Sequence, residues 1–324
     1  MKKILFALTV VVSLAACTKH DPFDNLKGGE VWILSKYAAD DVEEFSSSQV
    51  TFLSKDMQFR TDETFYSHSE LKKDGLLDSA VKGSDGNYYR MPTSGELMMA
   101  FPQIDRDNLP PGFNASSLLI FSWSPFEGGR YSYKETACLD NKDDYTADES
   151  GDVISGDSEF YFAEDYEDDN PDVFPIFALR FKGTSQYAAY RYELCEVRPA
   201  EDNFRAVYGL KLRAKWLKSA DTTTKMSDIT NEDYWKDCLE LIFKIEGYLG
   251  EDGYFNSYDG RLMSSTLDKY YEEDYVPVVA AYSMNEAGLQ TDYNGDIFKY
   301  SLRLLKCHSD GSLCKHPTKY ILTK

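Results

Sequence analysis

Hydrophobic and polar residues alternate along three stretches in the middle of the chain, residues 177–181, 187–195 and 206–213. This alternation places every second side chain on the same face of a strand, as a half-buried β-sheet requires. Further apolar pieces, separated by Gly, Asn and Asp turns, follow up to Lys306. Because strands outnumber helices in this pattern, we predict an α+β fold: a mixed, mainly antiparallel sheet with a few short helices and long loops.

Two segments favour short helices. In residues 91–101, a Ser or Thr cap precedes Glu96 in the first turn, and apolar residues follow, which is typical of a helix start. In residues 231–241, Glu232 and Asp233 would lie in the first turn, where negative charge stabilises a helix. The sequence therefore predicts one helix in each segment.

The periodicity stops in a strongly acidic stretch, residues 140–172. Gly151, Gly156 and Pro171 interrupt any repeat there, and we predict a long polar loop inserted into the domain. Its carboxylates could hold calcium, but they lack the spacing and central Gly of a helix-loop-helix calcium site, so a solvated loop is the alternative. The carboxylates concerned are Asp143, Asp144, Asp165, Glu167, Asp168 and Asp169.

The first seventeen residues have the pattern of an export signal. Lys2 and Lys3 precede an apolar run that is shorter than the roughly 20 residues needed to cross a bilayer. The run ends in Leu-Ala-Ala before Cys17 and resembles a bacterial lipoprotein signal, in which the thiol of that cysteine is acylated. We therefore expect a signal over residues 1–17, a lipidated Cys17 and a flexible tether over residues 18–30. The alternative is an ordinary signal peptide in which Cys17 stands by coincidence.

The net charge of the chain and the residue after Cys17 indicate which partners and which membrane to expect. The formal net charge is −20 at pH 7, and a surface this acidic repels nucleic acid and anionic lipid headgroups. Nucleic acid is therefore not an expected partner, and the lipid anchor is the expected contact with the membrane. Thr18 stands where some bacteria place an Asp that retains lipoproteins in the inner membrane. The outer membrane is thus the expected location, on its periplasmic or cell-surface face.

Five cysteines remain besides Cys17, and export would bring them to a compartment where disulfides form. Cys307 and Cys314 flank a turn-like segment, residues 308–312, and we predict a disulfide between them. With an odd count, at least one thiol stays free or pairs elsewhere. No CxxC spacing is present, which argues against a structural zinc site.

The sequence contains no signature of a catalytic site. HExxH, GxSxG and Gly-rich phosphate loops are all missing from it. No catalytic residue and no cofactor is therefore predicted, and calcium in the acidic stretch is the one metal considered. Acidic pairs are plentiful, so a carbohydrate hydrolase that uses two carboxylates is an alternative function.

Two short patterns resemble the sites that Bacteroidetes O-glycosylate on exported proteins. They are Asp78-Ser79-Ala80 and Asp221-Thr222-Thr223. The resemblance implies O-glycosylation of Ser79 and Thr222. Three-residue patterns also arise by coincidence, and that interpretation stays open.

Residues 89–97 read Y-R-M-P-T-S-G-E-L, and residues 260–266 read G-R-L-M-S-S-T. These segments, in this order, resemble the W-R-L-P-T-x-x-E-W/L opening and the G-x-Y-W-S-S-T segment of the Fibrobacter succinogenes major paralogous domain family, which is frequent in Bacteroidetes lipoproteins. Residues 241–248, 281–284 and 301–306 parallel its other strands, so the likeness covers roughly residues 85–308. This chain departs from the family pattern at Met263, Leu249 and Leu304, where the family usually has Trp, Arg and Cys.

The resemblance implies a C-type-lectin-like fold related to formylglycine-generating enzymes. Those enzymes need a reactive cysteine pair or a copper site held by it, and no two cysteines are suitably placed here. A non-enzymatic scaffold with binding loops is therefore expected. Gly247, Tyr248 and residues 264–266 are either ligand contacts or residues of turns and core packing.

These observations predict an N-terminal strand-rich segment over residues 31–84, a lectin-like domain over residues 85–308 and a tail over residues 309–324. The expected function is that of a lipid-anchored envelope protein that binds a glycan or a surface protein, as an adhesin or fimbrial accessory subunit does. The alternatives are the two-carboxylate hydrolase and a periplasmic assembly lipoprotein.

Overall fold

Antiparallel β-sheets with a few short helices make up the part of the chain that the computed structural model describes. That part comprises residues 66–73, 75, 77, 79–83, 86–102, 119–121, 129–138, 153–162, 175–200, 206–236, 238, 240–250, 255–256, 259–271, 274–291 and 298–312. Its helices are α1 (His68–Lys73), α2 (Ser94–Leu97), α3 (Met226–Ile229) and a 3-10 helix (Glu232–Trp235). Its strands are β1 (Val81–Lys82), β2 (Tyr88–Arg90), β3 (Leu119–Ile120), β4 (Gly129–Cys138), β5 (Val153–Phe162), β6 (Ile176–Lys182), β7 (Ala188–Arg198), β8 (Val207–Trp216), β9 (Leu241–Lys244), β10 (Tyr248–Leu249), β11 (Phe255–Asn256), β12 (Asp259–Tyr271), β13 (Asp274–Ser283), β14 (Glu286–Thr291) and β15 (Leu305–Cys307).

The strands form two large sheets and two small ones. The largest is a six-stranded meander in the order β4-β5-β6-β7-β8-β9, and the next is a four-stranded sheet in the order β12-β13-β14-β3. A three-stranded sheet has the order β1-β2-β15, and β10 pairs with β11. The pairings between these strands are antiparallel, and an isolated parallel bridge joins Leu262 to Ser301. The prediction of a mainly antiparallel, strand-rich fold is confirmed.

The alternation in the sequence explains which faces are buried. In β8, Leu210, Leu212 and Ala214 are buried, while Lys211 and Arg213 between them are only partly buried. The first set of side chains packs in the largest hydrophobic cluster, between the six-stranded and four-stranded sheets. Burying one face in this way is what drives the two sheets together.

Two further hydrophobic clusters cover the other faces of the large sheets. Met263 and Val279 point away from the largest cluster and pack with α1 and the three-stranded sheet. On the six-stranded sheet, Phe177 and Leu179 belong to a cluster with Trp235 and other residues of the segment that contains α3 and the 3-10 helix. The described residues thus form layers in which each large sheet is sandwiched between apolar clusters.

A buried ion pair joins the six-stranded sheet to α2. Arg180 of β6 donates to both carboxylate oxygens of Glu135 in β4, at 2.6–3.1 Å, and both side chains are fully buried. The same guanidinium donates to the Tyr192 hydroxyl (2.8 Å) and to the carbonyl oxygens of Met98 (2.5 Å) and Met99 (2.8 Å), just after α2. Every donor group of the arginine therefore has an acceptor, which offsets the cost of burying its charge.

A β-bulge brings these two side chains together across β5. The register between β5 and β6 shifts between Asp157 and Glu159, and Phe181 adopts a left-handed backbone conformation (φ 57°). The hydroxyl of Ser158 accepts a hydrogen bond from the Phe181 amide (3.0 Å). A Cβ atom at Gly156 would lie 2.7 Å from the Phe181 carbonyl carbon, so only glycine fits on β5 at this crossing.

The helix predicted within residues 91–101 is confirmed as α2. Thr93 is its N-cap: its hydroxyl accepts a hydrogen bond from the Glu96 amide, and the Glu96 carboxylate accepts one from the Thr93 amide. This reciprocal pair is the capping box that the Thr-x-x-Glu spacing indicated. The helix is one turn long, and the turn that follows it presents the carbonyls of Met98 and Met99 to Arg180.

The helix predicted over residues 231–241 is wrong. A single 3-10 turn forms over residues 232–235, capped by the Asn231 side chain, and Leu241 begins strand β9 instead. The indole of Trp235 donates to the Ile229 carbonyl (2.6 Å) and is buried against the sheet. Pairing of β9 with β8 and burial of Trp235 outweigh the weak helical preference of the acidic first turn.

The acidic stretch is not one continuous loop. Residues 153–162 form β5, the second strand of the largest sheet, because Ser158, Phe160 and Phe162 alternate toward the core. The six carboxylates considered for calcium lie outside the described residues, as do residues 1–65. Within the predicted segment 31–84, the described part holds α1 and β1.

The buried ion pair yields a stability prediction. Arg180→Met should lower the free energy of unfolding by about 3–5 kcal/mol, because it leaves the Glu135 carboxylate buried without its partner. Chemical denaturation monitored by circular dichroism measures this loss.

The matched control is Arg130→Met on β4. Arg130 forms a looser pair with Glu159 (3.6 Å) and its side chain is 57% exposed, so this variant should lose less than about 1 kcal/mol. Equal losses in the two variants would contradict the role assigned to Arg180.

Candidate binding site

Two segments that carry the family resemblance meet in the interior. The Ser265 amide donates to the Pro92 carbonyl (2.8 Å), and the Ser94 amide donates to the Thr266 hydroxyl (2.9 Å). Ser264, also buried, donates to the Val278 carbonyl (2.8 Å). These contacts fix the start of α2 on β12, so the core-packing interpretation holds for residues 264–266.

Glu96 extends this interior network to the C-terminal turn. Its buried carboxylate accepts two hydrogen bonds from Arg90, at 2.5 and 2.6 Å. Arg90 in turn donates from Nε to the Gly311 carbonyl (2.7 Å), in the turn that follows β15. The Arg-x-x-Thr-x-x-Glu part of residues 89–97 is therefore a structural connector and not a ligand site.

Gly260 separates the two faces of β12. A Cβ atom there would lie 2.1 Å from the ring of Tyr282, which packs in the core beside Phe101 (5.5 Å between centroids) and Phe243 (6.0 Å). The neighbouring residues Asp259 and Arg261 project from the opposite face of the strand. That opposite face carries the candidate site.

We call the candidate site the aromatic–arginine patch and define it as Tyr248, Asp259, Arg261 and Phe298. The Arg261 guanidinium carbon lies 4.3 Å from the centre of the Tyr248 ring. The centres of the Tyr248 and Phe298 rings are 5.2 Å apart. The buried Tyr300 ring packs against this pair: its centre lies 5.8 Å from the centre of the Tyr248 ring and 5.8 Å from the Arg261 guanidinium carbon. Stacking of a cation on an aromatic ring stabilises both side chains in one orientation.

Each member of the patch is partly exposed to solvent. Tyr248 and Phe298 are partly buried, the Arg261 side chain is 14% exposed and the Asp259 side chain is 37% exposed. Asp259 Oδ2 lies 3.8 Å from Arg261 Nη2, which is too long for a hydrogen bond. An acceptor and a donor thus lie side by side next to aromatic rings.

Small residues lie beside the patch on the same face of the sheet. Arg261 pairs with Ala281 on β13, and Ala281 pairs with Gly288 on β14. Both residues are partly exposed, and neither carries a side chain larger than a methyl group. Their short side chains project little above the sheet on the face that carries the guanidinium.

Sequence reasoning identified one member of the patch and missed three. Tyr248 is a candidate ligand contact from the sequence, whereas nothing in the motifs marks Asp259, Arg261 or Phe298 as one. The polar-apolar alternation of Asp259, Arg261 and buried Leu262 could have placed the first two on one exposed face. Phe298 joins them only through the fold.

The buried carboxylates of the described residues are all engaged in structural roles. Glu96 and Glu135 are each held by an arginine, and Asp221 accepts hydrogen bonds from the amides and hydroxyls of Thr223 and Thr224 at 2.6–3.3 Å. Burial alone would raise the pKa of Asp221, but these hydrogen bonds lower it well below its usual value. None of the three is therefore presented to a substrate as a general acid.

Other predicted sites have the following positions. Ser79 and Thr222 are both exposed, and their O-glycosylation stays a prediction. Cys307 is buried at the end of β15, while Cys314 and the lipidation site Cys17 lie outside the described residues, so the disulfide and the anchor also stay predictions. Among the described residues no group of three or more His, Cys, Asp or Glu side chains could hold a metal ion.

Comparison with known families places the chain in one of them. Residues 35–305 match the model of a domain of unknown function (DUF8237), and the chain belongs to that family. No curated protein and no solved structure matches it. In the described part, no helix is both long and apolar enough to cross a membrane.

The contact between α2 and β12 is testable. Thr266→Val keeps the shape of a fully buried side chain but removes the acceptor of the Ser94 amide, so the free energy of unfolding should fall by about 1–3 kcal/mol. The control is Thr136→Val on the exposed face of β4, where a change within about 0.5 kcal/mol is expected. Urea denaturation distinguishes the two, and a loss of similar size in both would contradict the role of Thr266.

The hydrogen bonds that Asp221 accepts from Thr223 and Thr224 predict that the stability of the fold depends on pH. Because the folded-state pKa of Asp221 is lowered, its contribution to stability is present above the unfolded pKa of about 4 and is lost as the pH falls toward the folded value. Asp221→Asn should therefore be less stable than the wild type near pH 7, by about 1–3 kcal/mol, and the difference should shrink below pH 4. Thermal melts from pH 7 to pH 2 measure the difference in stability between the two proteins. A difference that stays constant over this range would contradict a stabilising role of the ionised Asp221 carboxylate.

Proposed function

We propose that this protein is a non-enzymatic, lipid-anchored protein of the cell envelope that binds a glycan at the aromatic–arginine patch of a C-type-lectin-like domain. The observation that carries the proposal is the placement of Arg261 over the ring of Tyr248 at a solvent-accessible face. Aromatic rings beside fixed polar groups provide the apolar surface and the hydrogen bonds that sugar rings require.

The lectin-like assignment is supported by the arrangement of the motif segments. Residues 89–97 and 264–266, which resemble the paralogous lectin-like family, contact each other through buried hydrogen bonds. Antiparallel strands of the four-stranded sheet then present the patch from a rigid element. Sites on strands hold their geometry better than sites on loops.

The non-catalytic assignment is supported by the carboxylates. A two-carboxylate hydrolase needs one carboxylic acid with a raised pKa facing a second carboxylate across the substrate. The buried carboxylates of the described residues are engaged elsewhere: Glu96 by Arg90, Glu135 by Arg180 and Asp221 by the Thr224 hydroxyl. Binding without product formation is therefore the expected behaviour.

The location is supported by the signal-like start and by the acidic surface. A basic, apolar and Leu-Ala-Ala-Cys start favours acylation of Cys17, and the net charge of −20 disfavours direct contact with anionic lipid. The anchor would then be the attachment to the outer membrane, with the domain beyond the tether of residues 18–30.

Fractionation and binding assays test this function. In a Bacteroidetes host, the wild type should stay with the outer membrane, be cleaved by protease added to intact cells and retain glycans from a mixed array. Cys17→Ser should release the protein from the membrane, because the acylated thiol is lost.

A periplasmic protein that stays uncut serves as the control for membrane integrity. Protection of the wild type until the outer membrane is broken would contradict a surface binder. Release of shortened sugars would favour the hydrolase, and capture of proteins without any glycan would overturn the glycan assignment.

A further inference from the structure

We draw no further inference here: the strongest candidate, the apolar patch where the side chains of Val197 and Ile242 meet over Gly209 on the face of the six-stranded sheet that points away from the largest hydrophobic cluster, carries none because nothing in the structure shows what covers it.

Discussion

The ion pair between Arg180 and Glu135 is the constraint on which the rest of the described structure depends. Two opposite charges are fully buried on the core face of the largest sheet, where an unpaired charge would cost several kcal/mol. The pair is tolerated because the Tyr192 hydroxyl and two carbonyls after α2 accept the remaining donors of Arg180. Removing any one partner would leave a buried polar group unsatisfied, so the sheet and α2 must assemble together.

From this pair, buried polar contacts lead through α2 to β12, the strand that carries Asp259 and Arg261. Arg180 holds the end of α2, and the start of α2 is held by Thr266 and by the carboxylate of Glu96. Thr266 lies in the middle of β12, and Asp259 and Arg261 lie near the start of the same strand. The patch is therefore presented by a strand that is fixed to both large sheets. Such fixing lowers the entropy lost when a ligand binds.

The sequence allowed much of this fold to be predicted, because period-two alternation and a Thr-x-x-Glu cap are local signals. The strands around residues 177–213 and the helix α2 follow from them. The helix over residues 231–241 was wrong because Trp235 and Leu241 are placed by the neighbouring sheet, not by local preference. The strand β5 within the acidic stretch does not follow from composition, because the many carboxylates around it favour a polar loop. The alternation of Ser158, Phe160 and Phe162 is the local signal that indicates the strand.

The site was less predictable than the fold, for a physical reason that Gly260 illustrates. The sequence marks Gly260 and Tyr282 as parts of familiar motifs, and the structure shows that the glycine is needed because the Tyr282 ring packs against it. That packing fixes which face of β12 is inside. The residues on either side of Gly260 are thereby turned outward, where Arg261 meets Tyr248 from β10. Motif residues such as Gly260 thus determine the position of the site, while Asp259 and Arg261, which give it its charged groups, stand at positions that the motif does not specify.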